Sequence, residues 1–184
     1  EMINILLTEK QDILEAFRGK IQDAVGREGK VLTDVIPQLE RILGPQPDVP
    51  DVGGAESQNR FNYVFRKLVQ ALATKEHPLV LFIDDLQWAD SSSLSLLKVL
   101  MTDRDSKHLL CICAYRDNEV SVSHPFVITV GEIKEDGATV HSIGIGNLSN
   151  ENVNALIADA VGASLDQTAA LTQLVYQKTS GNAF

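Results

Sequence analysis

Two segments of the chain are apolar at every position, "LVLFI" at 79–83 and "LLCICA" at 109–114, and between them lies a segment whose leucines recur at 94, 97 and 100. Unbroken apolar runs of this length flanked by polar residues predict buried strands, and the three-residue leucine spacing predicts a helix. A strand, helix, strand unit results. Strands without alternation are typical of a parallel sheet covered on both faces, which places the chain in the α/β class.

Helical periodicity accounts for most of the rest. The "TEKQ" at Thr8 reads as a capping box that opens a helix carrying Ile13, Leu14, Phe17, Ile21 and Val25 on one face, with Gly26 at its end. A second helix is expected from about Leu32 to Leu43, with Pro37 at a start or kink and Gly44 closing it. The three prolines and three glycines of "GPQPDVPDVGG" predict a surface connection. In "ESQNRFNYVFRKLVQALATKEHP", Phe61, Val64, Phe65, Leu68 and Leu72 predict a helix that stops before Pro78. "HPFVITVGEIKEDG" predicts a further helix and "TVHSIGI" a third strand. From Ser149 the pattern is wholly helical, through Val153, Leu156, Ile157 and Val161 and then Leu171, Leu174 and Val175. The predicted organisation is an α/β core over 1–148, with a helical insert at 1–44 and a Pro/Gly-rich connection at 45–55. The start of a helical lobe follows at 149–184.

With 184 residues, 44% of them apolar, there is material for one domain and a small appendage. A formal charge of −9 argues against a surface built for phosphate backbones, so no nucleic-acid partner is expected. Cys111 and Cys113 share one strand face, a poor disulfide geometry, and two thiols are too few for a structural zinc. They read as core thiols in a reducing compartment. No apolar stretch reaches the roughly 18 residues of a membrane span, and the N-terminus lacks signal-peptide features, so a cytoplasmic protein is expected. The opening at "EMINILL" and the close on Phe184 suggest a piece of something longer.

The candidate chemistry lies where the first apolar run stops, at Asp84 and Asp85. Ligands of open parallel sheets bind outside the carboxyl ends of the strands. Nucleotide hydrolysis uses one carboxylate to hold a Mg²⁺ that keeps most of its waters, and a neighbouring acid to orient the attacking water. Asp84 is assigned to the metal and Asp85 to the water; the alternative is a solvated strand end. Arg116 follows the second apolar run and emerges at the same edge, where a guanidinium can reach a γ-phosphate, or can simply neutralise Asp84, Asp85, Asp117 and Glu119. No phosphate cradle accompanies them. "GREGKVL" fails the P-loop pattern G-x-x-x-x-G-K-[ST], because its first glycine position is Ala24, its hydroxyl position is Val31, and a helix precedes it.

Trp88 is expected to pack the acid loop onto the following helix, and Asp90 to cap that helix. Arg60 is read as reaching toward nucleotide or forming a surface ion pair. His77 and His124, each before a proline, belong to turns, and His108 and His141 have no partner at metal spacing. A phospho-accepting receiver domain also carries an acid pair at a strand end, but "TVHSIGIGN" does not end in the lysine it would need.

"NRFNYVFRKLVQALATKEHPLVLFIDDLQWADSSSLSLLKVLM", "CAYRDNEV…HPF" and "QKTSGNAF", together with "EGKVLTDVIPQLERILGPQP", resemble the AAA-type, STAND-class ATPase module of large multidomain signalling proteins, which is often fused to a Ser/Thr kinase or a histidine kinase. The resemblance implies a partial P-loop NTPase fold: a parallel sheet with flanking helices and a C-terminal helical lobe. It makes "LVLFIDD" the Walker B strand and Arg116 a sensor arginine, and places the P-loop before residue 1. ATP and Mg²⁺ are the implied cofactors, and other domains of the same polypeptide, protein kinase or histidine kinase domains among them, the implied partners. The implied function is a nucleotide-driven regulatory switch whose fragment alone is inactive; the alternative is a non-catalytic interaction module. One departure stands out: the family's usual Gly-Asn-Pro-Phe is here "GNAF", with Ala183 where the proline is expected near the adenine.

Overall fold

The computed structural model describes residues 2–183 and divides into two compact units, one through Thr139 and one from Val140. Glu1 and the closing Phe184 lie outside the described residues.

The first unit begins with helices. A short α1 (Met2–Leu6) closes through Leu7 and Glu9, whose N–H groups bond Ile3 and Leu6 carbonyls, so Thr8 belongs to the turn that ends α1. α2 therefore starts later than the capping-box reading puts it, spanning Gln11–Val25 with Lys10 before it and no side-chain cap bond. The expected helix over 32–43 is split. α3 (Gly29–Thr33) is separated by Pro37 from a 3₁₀ turn, Pro37–Leu39, that runs into α4 (Glu40–Leu43). The cause is steric, since the proline ring disfavours the helical region for the residue before it and Ile36 sits at φ −125°, ψ 77°. Gly44 then closes the segment at φ 74°, a left-handed value that suits glycine.

α5 (Gly54–Leu72) turns Val64, Leu68 and Leu72 inward against Phe17, Ile21 and Val25 of α2 and against Leu32, Leu39 and Ile42. This is the main core, and Ile21, Leu32, Leu39, Ile42 and Leu68 are completely shielded. By area bookkeeping each such leucine or isoleucine contributes roughly 1.5–3 kcal/mol.

β1 (Leu79–Ile83) and β2 (Leu109–Cys113) pair in parallel, with Leu79 opposite Leu109 and Ile83 opposite Cys113. α6 (Ser91–Thr102) makes the crossover, and α7 (Pro125–Glu135) packs beside it. A second, smaller core of Leu86, Leu94 and Phe126 sits under the strand ends, with Ile83, Cys113 and Val130 against it. The expectation of a sheet covered on both faces is corrected here. Residues 79, 81 and 83 are half-buried, whereas Val80, Phe82, Leu110 and Ile112 are exposed, Phe82 to 64%. Cys111 and Cys113 are free thiols with sulfurs 3.5 Å apart, and they are half-buried where core thiols were expected. The contact between them pushes the Cys111 thiol up and holds Cys113 down.

The third strand expected at "TVHSIGI" is absent. Residues 139–145 form no strand, and Ile145 is 94% exposed. Alternating side chains suit a strand, but a strand exists only where a neighbour receives its backbone hydrogen bonds. Among the described residues none does so for this segment.

The second unit is a helical hairpin, α8 (Asn150–Val161) and α9 (Leu165–Thr179). Ser149 caps α8 as its sequence position suggests, and Ser164 with Gln167 forms a complete capping box on α9. Its interior holds Val153 and Ala158 beside two buried threonines, Thr168 and Thr172.

Candidate functional site

The parallel register brings two loops together. β1 ends at Ile83, whose carbonyl accepts from Ala114 N–H at 2.8 Å, and the chain is then clamped back by Leu86 N–H donating to the Ala114 carbonyl at 3.1 Å. Between those two bonds lie Asp84 and Asp85. Leu86 drives the turn by burying its side chain against Leu94 and Phe126.

Asp85 takes the left-handed conformation, φ 54° and ψ 39°, which short polar side chains tolerate when local hydrogen bonds hold them. Its N–H donates to Asp84 Oδ1 at 2.8 Å, and its carbonyl accepts from Trp88 N–H at 2.9 Å. Its carboxylate accepts from Gln87 Nε2 at 2.8 Å, through Oδ1. The Gln87 oxygen in turn accepts the backbone N–H of Arg116 at 3.2 Å. Arg116 Nε lies 3.7 Å from the same Asp85 Oδ1, and its Nη1 donates to Glu119 Oε1 at 3.2 Å. The Asp85 and Arg116 side chains are 56% and 63% exposed, so the whole constellation opens to solvent.

Asp84, Asp85 and Arg116 thus share one sheet edge. Arg116 contacts Asp85 and Glu119, two of the four acids named in the alternative reading of this arginine. Sequence reasoning passed over Gln87, which joins the acid turn to the Arg116 loop. A carboxamide two residues beyond an acid pair in a tight polar turn was the available signal.

Other residues resolve simply. Asp90 caps α6 by accepting Ser93 N–H at 2.7 Å, and the hydrogen bonds from Ser93 hold its carboxyl below the usual range. Trp88 does not pack the acid loop onto α6 as expected, because it is 75% exposed. Leu86, on the inner side of the same 3₁₀ turn, takes that place. Arg60 donates to the Pro50 carbonyl at 2.7 Å, tying the Pro/Gly-rich connection to α5. His124 caps α7 through Nδ1, and His77 closes the Thr74 turn beside the Phe17 ring.

Among the described residues no group of three or more His, Cys, Asp or Glu is arranged to hold a metal. Two adjacent carboxylates fit one cation mode, that of Mg²⁺ held by one or two acids while waters and phosphate oxygens complete its shell. No helix among the described residues is long and apolar enough to cross a membrane.

A family model described as the AAA ATPase domain matches residues 1–112, from the first helices into β2. Hybrid signal transduction histidine kinase G of Dictyostelium discoideum is 26% identical over 247 aligned residues that take in this whole chain, which spans about 7% of that relative's length. No solved structure matches.

Proposed function

Because the chain belongs to the AAA ATPase domain family, we propose that it is the acid-and-sensor part of an ATP-binding and ATP-hydrolysing regulatory switch in a multidomain signal-transduction protein. What supports the reading above all is the junction of the acid turn after β1 with the Arg116 loop after β2. The two are joined through Gln87 and the Asp85–Arg116 pair at the edge where parallel sheets take ligands. The match to a signalling kinase supports the setting, with kinase domains of the same polypeptide as partners.

In this reading Asp84 is the Mg²⁺ carboxylate, acting directly or through a bound water. A Mg²⁺ ion held there with nucleotide would supply charge neutralisation to the phosphates. Asp85 orients the attacking water and accepts its proton as general base. Arg116 leaves Asp85 and Glu119 to donate to the γ-phosphate, and returns to them when that group is gone. Its exchange between acid and phosphate would register which nucleotide is present.

The phosphate cradle is not among these residues, so the 184-residue chain by itself is expected to turn over no ATP at a useful rate. The second reading is a non-catalytic interaction module of the same fold. Full-length protein separates the two. Asp85→Asn is expected to abolish turnover while ATP remains bound, and Asp84→Asn to weaken both Mg²⁺-dependent nucleotide retention and turnover. Small, equal effects in both variants would reduce the acids to a strand terminus and favour the interaction module.

A further inference from the structure

Gln87 spends both ends of its carboxamide on the site. Nε2 donates to Asp85 Oδ1 at 2.8 Å, and Oε1 accepts the Arg116 N–H at 3.2 Å. A half-buried glutamine that only needed solvation would turn its amide to water. This one is held in a single orientation, because flipping it would set an oxygen against a carboxylate and an NH₂ against an N–H. Arg116 lies 29 residues beyond Gln87 in sequence, on a different loop from Asp85. The two loops carry the two side chains to which the proposed function gives the water and the γ-phosphate.

Asp85 also needs such a partner. Its backbone is left-handed, its N–H is taken by Asp84 and its carbonyl by Trp88 N–H. The Gln87 bond fixes the remaining freedom, the rotation of the carboxylate, with Oδ1 anchored and Oδ2 turned away from the bond. Arg116 Nε, at 3.7 Å, is too distant for a close hydrogen bond to Oδ1 and cannot supply that anchor.

We propose that Gln87 is the positioning residue of this site, setting the Asp85 carboxylate for water and keeping the Arg116 loop in register with it; this rests on the function proposed above. In this role Gln87 acts through Asp85 and Arg116. Its work needs one donor and one acceptor on one side chain of similar reach. Histidine offers both through its ring nitrogens, glutamate of the same length offers only acceptors, and alanine offers neither.

The experiment measures ATP turnover, ATP and ADP dissociation constants, and hydrogen exchange of the Arg116 amide in full-length protein carrying Gln87→Ala, Gln87→Glu, Gln87→His or Asp85→Asn. Gln87→Ala is expected to lower kcat about tenfold with ADP affinity within about twofold, to erode the preference for ATP over ADP, and to speed Arg116 amide exchange. Gln87→Glu keeps the acceptor, so the amide stays protected while kcat falls. Gln87→His restores both. A Gln87→Ala protein with wild-type kcat, beside an inactive Asp85→Asn, overturns the role of Gln87 alone. Equal losses in the His, Glu and Ala variants also overturn it, since a turn filler would show no donor or acceptor logic. A wild-type protein that turns over no ATP overturns the function proposed above and this role with it.

Discussion

Asn154→Ala tests whether the helical hairpin of the second unit is held by polar contacts in its interior. Asn154 Oδ1 accepts the hydroxyls of Thr168 at 2.6 Å and Thr172 at 2.7 Å, while Nδ2 donates to the Leu165 carbonyl at 3.0 Å. The three losses differ. Thr168 retains the Ser164 and Leu165 carbonyls as alternative acceptors at 3.2 and 3.3 Å, so it rebonds at little cost. Thr172, only 1% exposed, has no second acceptor among the described residues. Stranding that hydroxyl costs about 2 kcal/mol, and losing the Leu165 bond about 1 more, for a total near 3 kcal/mol. The readout is amide exchange across α8 and α9, which is expected to accelerate about a hundredfold while α5 amides are unchanged. Adding Thr172→Val, which removes the stranded hydroxyl at constant shape, is expected to return about half of the loss. An Asn154→Ala effect below about 1 kcal/mol, or a further loss on adding Thr172→Val, would refute the assignment of stability to this network.

Two more outcomes follow from the geometry. Gly181 sits at φ +78°, where a Cβ would collide with the Leu148 carbonyl oxygen and lie 3.1 Å from Tyr176 Cε2. Gly181→Ala is therefore expected to destabilise α8 and α9 by about 2 kcal/mol or more in the same exchange measurement, against about 1 kcal/mol for Gly162→Ala, whose φ is also positive but whose Cβ meets open space. Burial alone would raise the Asp103 carboxyl, but hydrogen bonds from Ser106 and Gln70 and the charge of Arg66 outweigh it and leave its folded pKa lowered. A lowered folded value stabilises above the unfolded pKa and loses that stability as pH falls through the folded one. The difference in Tm between wild type and Asp103→Asn is thus expected to hold steady above about pH 5 and shrink toward pH 3, and a pH-independent difference would rule this out.

What could be read from the sequence follows from the range of the forces involved. β1, α5, α6 and α7 stand close to where periodicity puts them, because their signals are contained in each segment: leucines at helical spacing, an aspartate cap before "SSSL", a proline at the start of α7. Errors arose where a local signal has a rival next to it. At Thr8 the closing turn of α1 puts the start of α2 at Gln11, and at Ile36 the proline that follows removed a turn from the expected helix. The "TVHSIGI" segment and the covered sheet failed for a longer-range reason. Apolar alternation and apolar continuity report what a segment could bury, and Ile143, Ile145, Val80 and Phe82 are exposed because nothing among the described residues lies against them.

The candidate site divides the same way. Asp84 and Asp85 are legible because they are contiguous with the strand that presents them, and Arg116 because parallel register places the end of β2 beside the end of β1. The left-handed Asp85 and the two bonds of Gln87 depend on side-chain orientation within one turn, which no spacing encodes. Under the proposed function the exposure of the Asp85–Arg116 pair carries an energetic consequence. An exposed pair 3.7 Å apart contributes roughly 0–1 kcal/mol, whereas breaking a buried one by removing a partner costs roughly 3–5. A guanidinium held by so weak a contact can leave for a γ-phosphate, which offers more charge and more acceptor oxygens, and can return when that phosphate is lost. A buried pair in the same place would hold Arg116 against either nucleotide. The solvent around this edge is therefore what would allow the arginine to respond, and the Gln87 bond to its backbone, which does not depend on the side-chain pair, keeps its loop in place while the side chain exchanges partners.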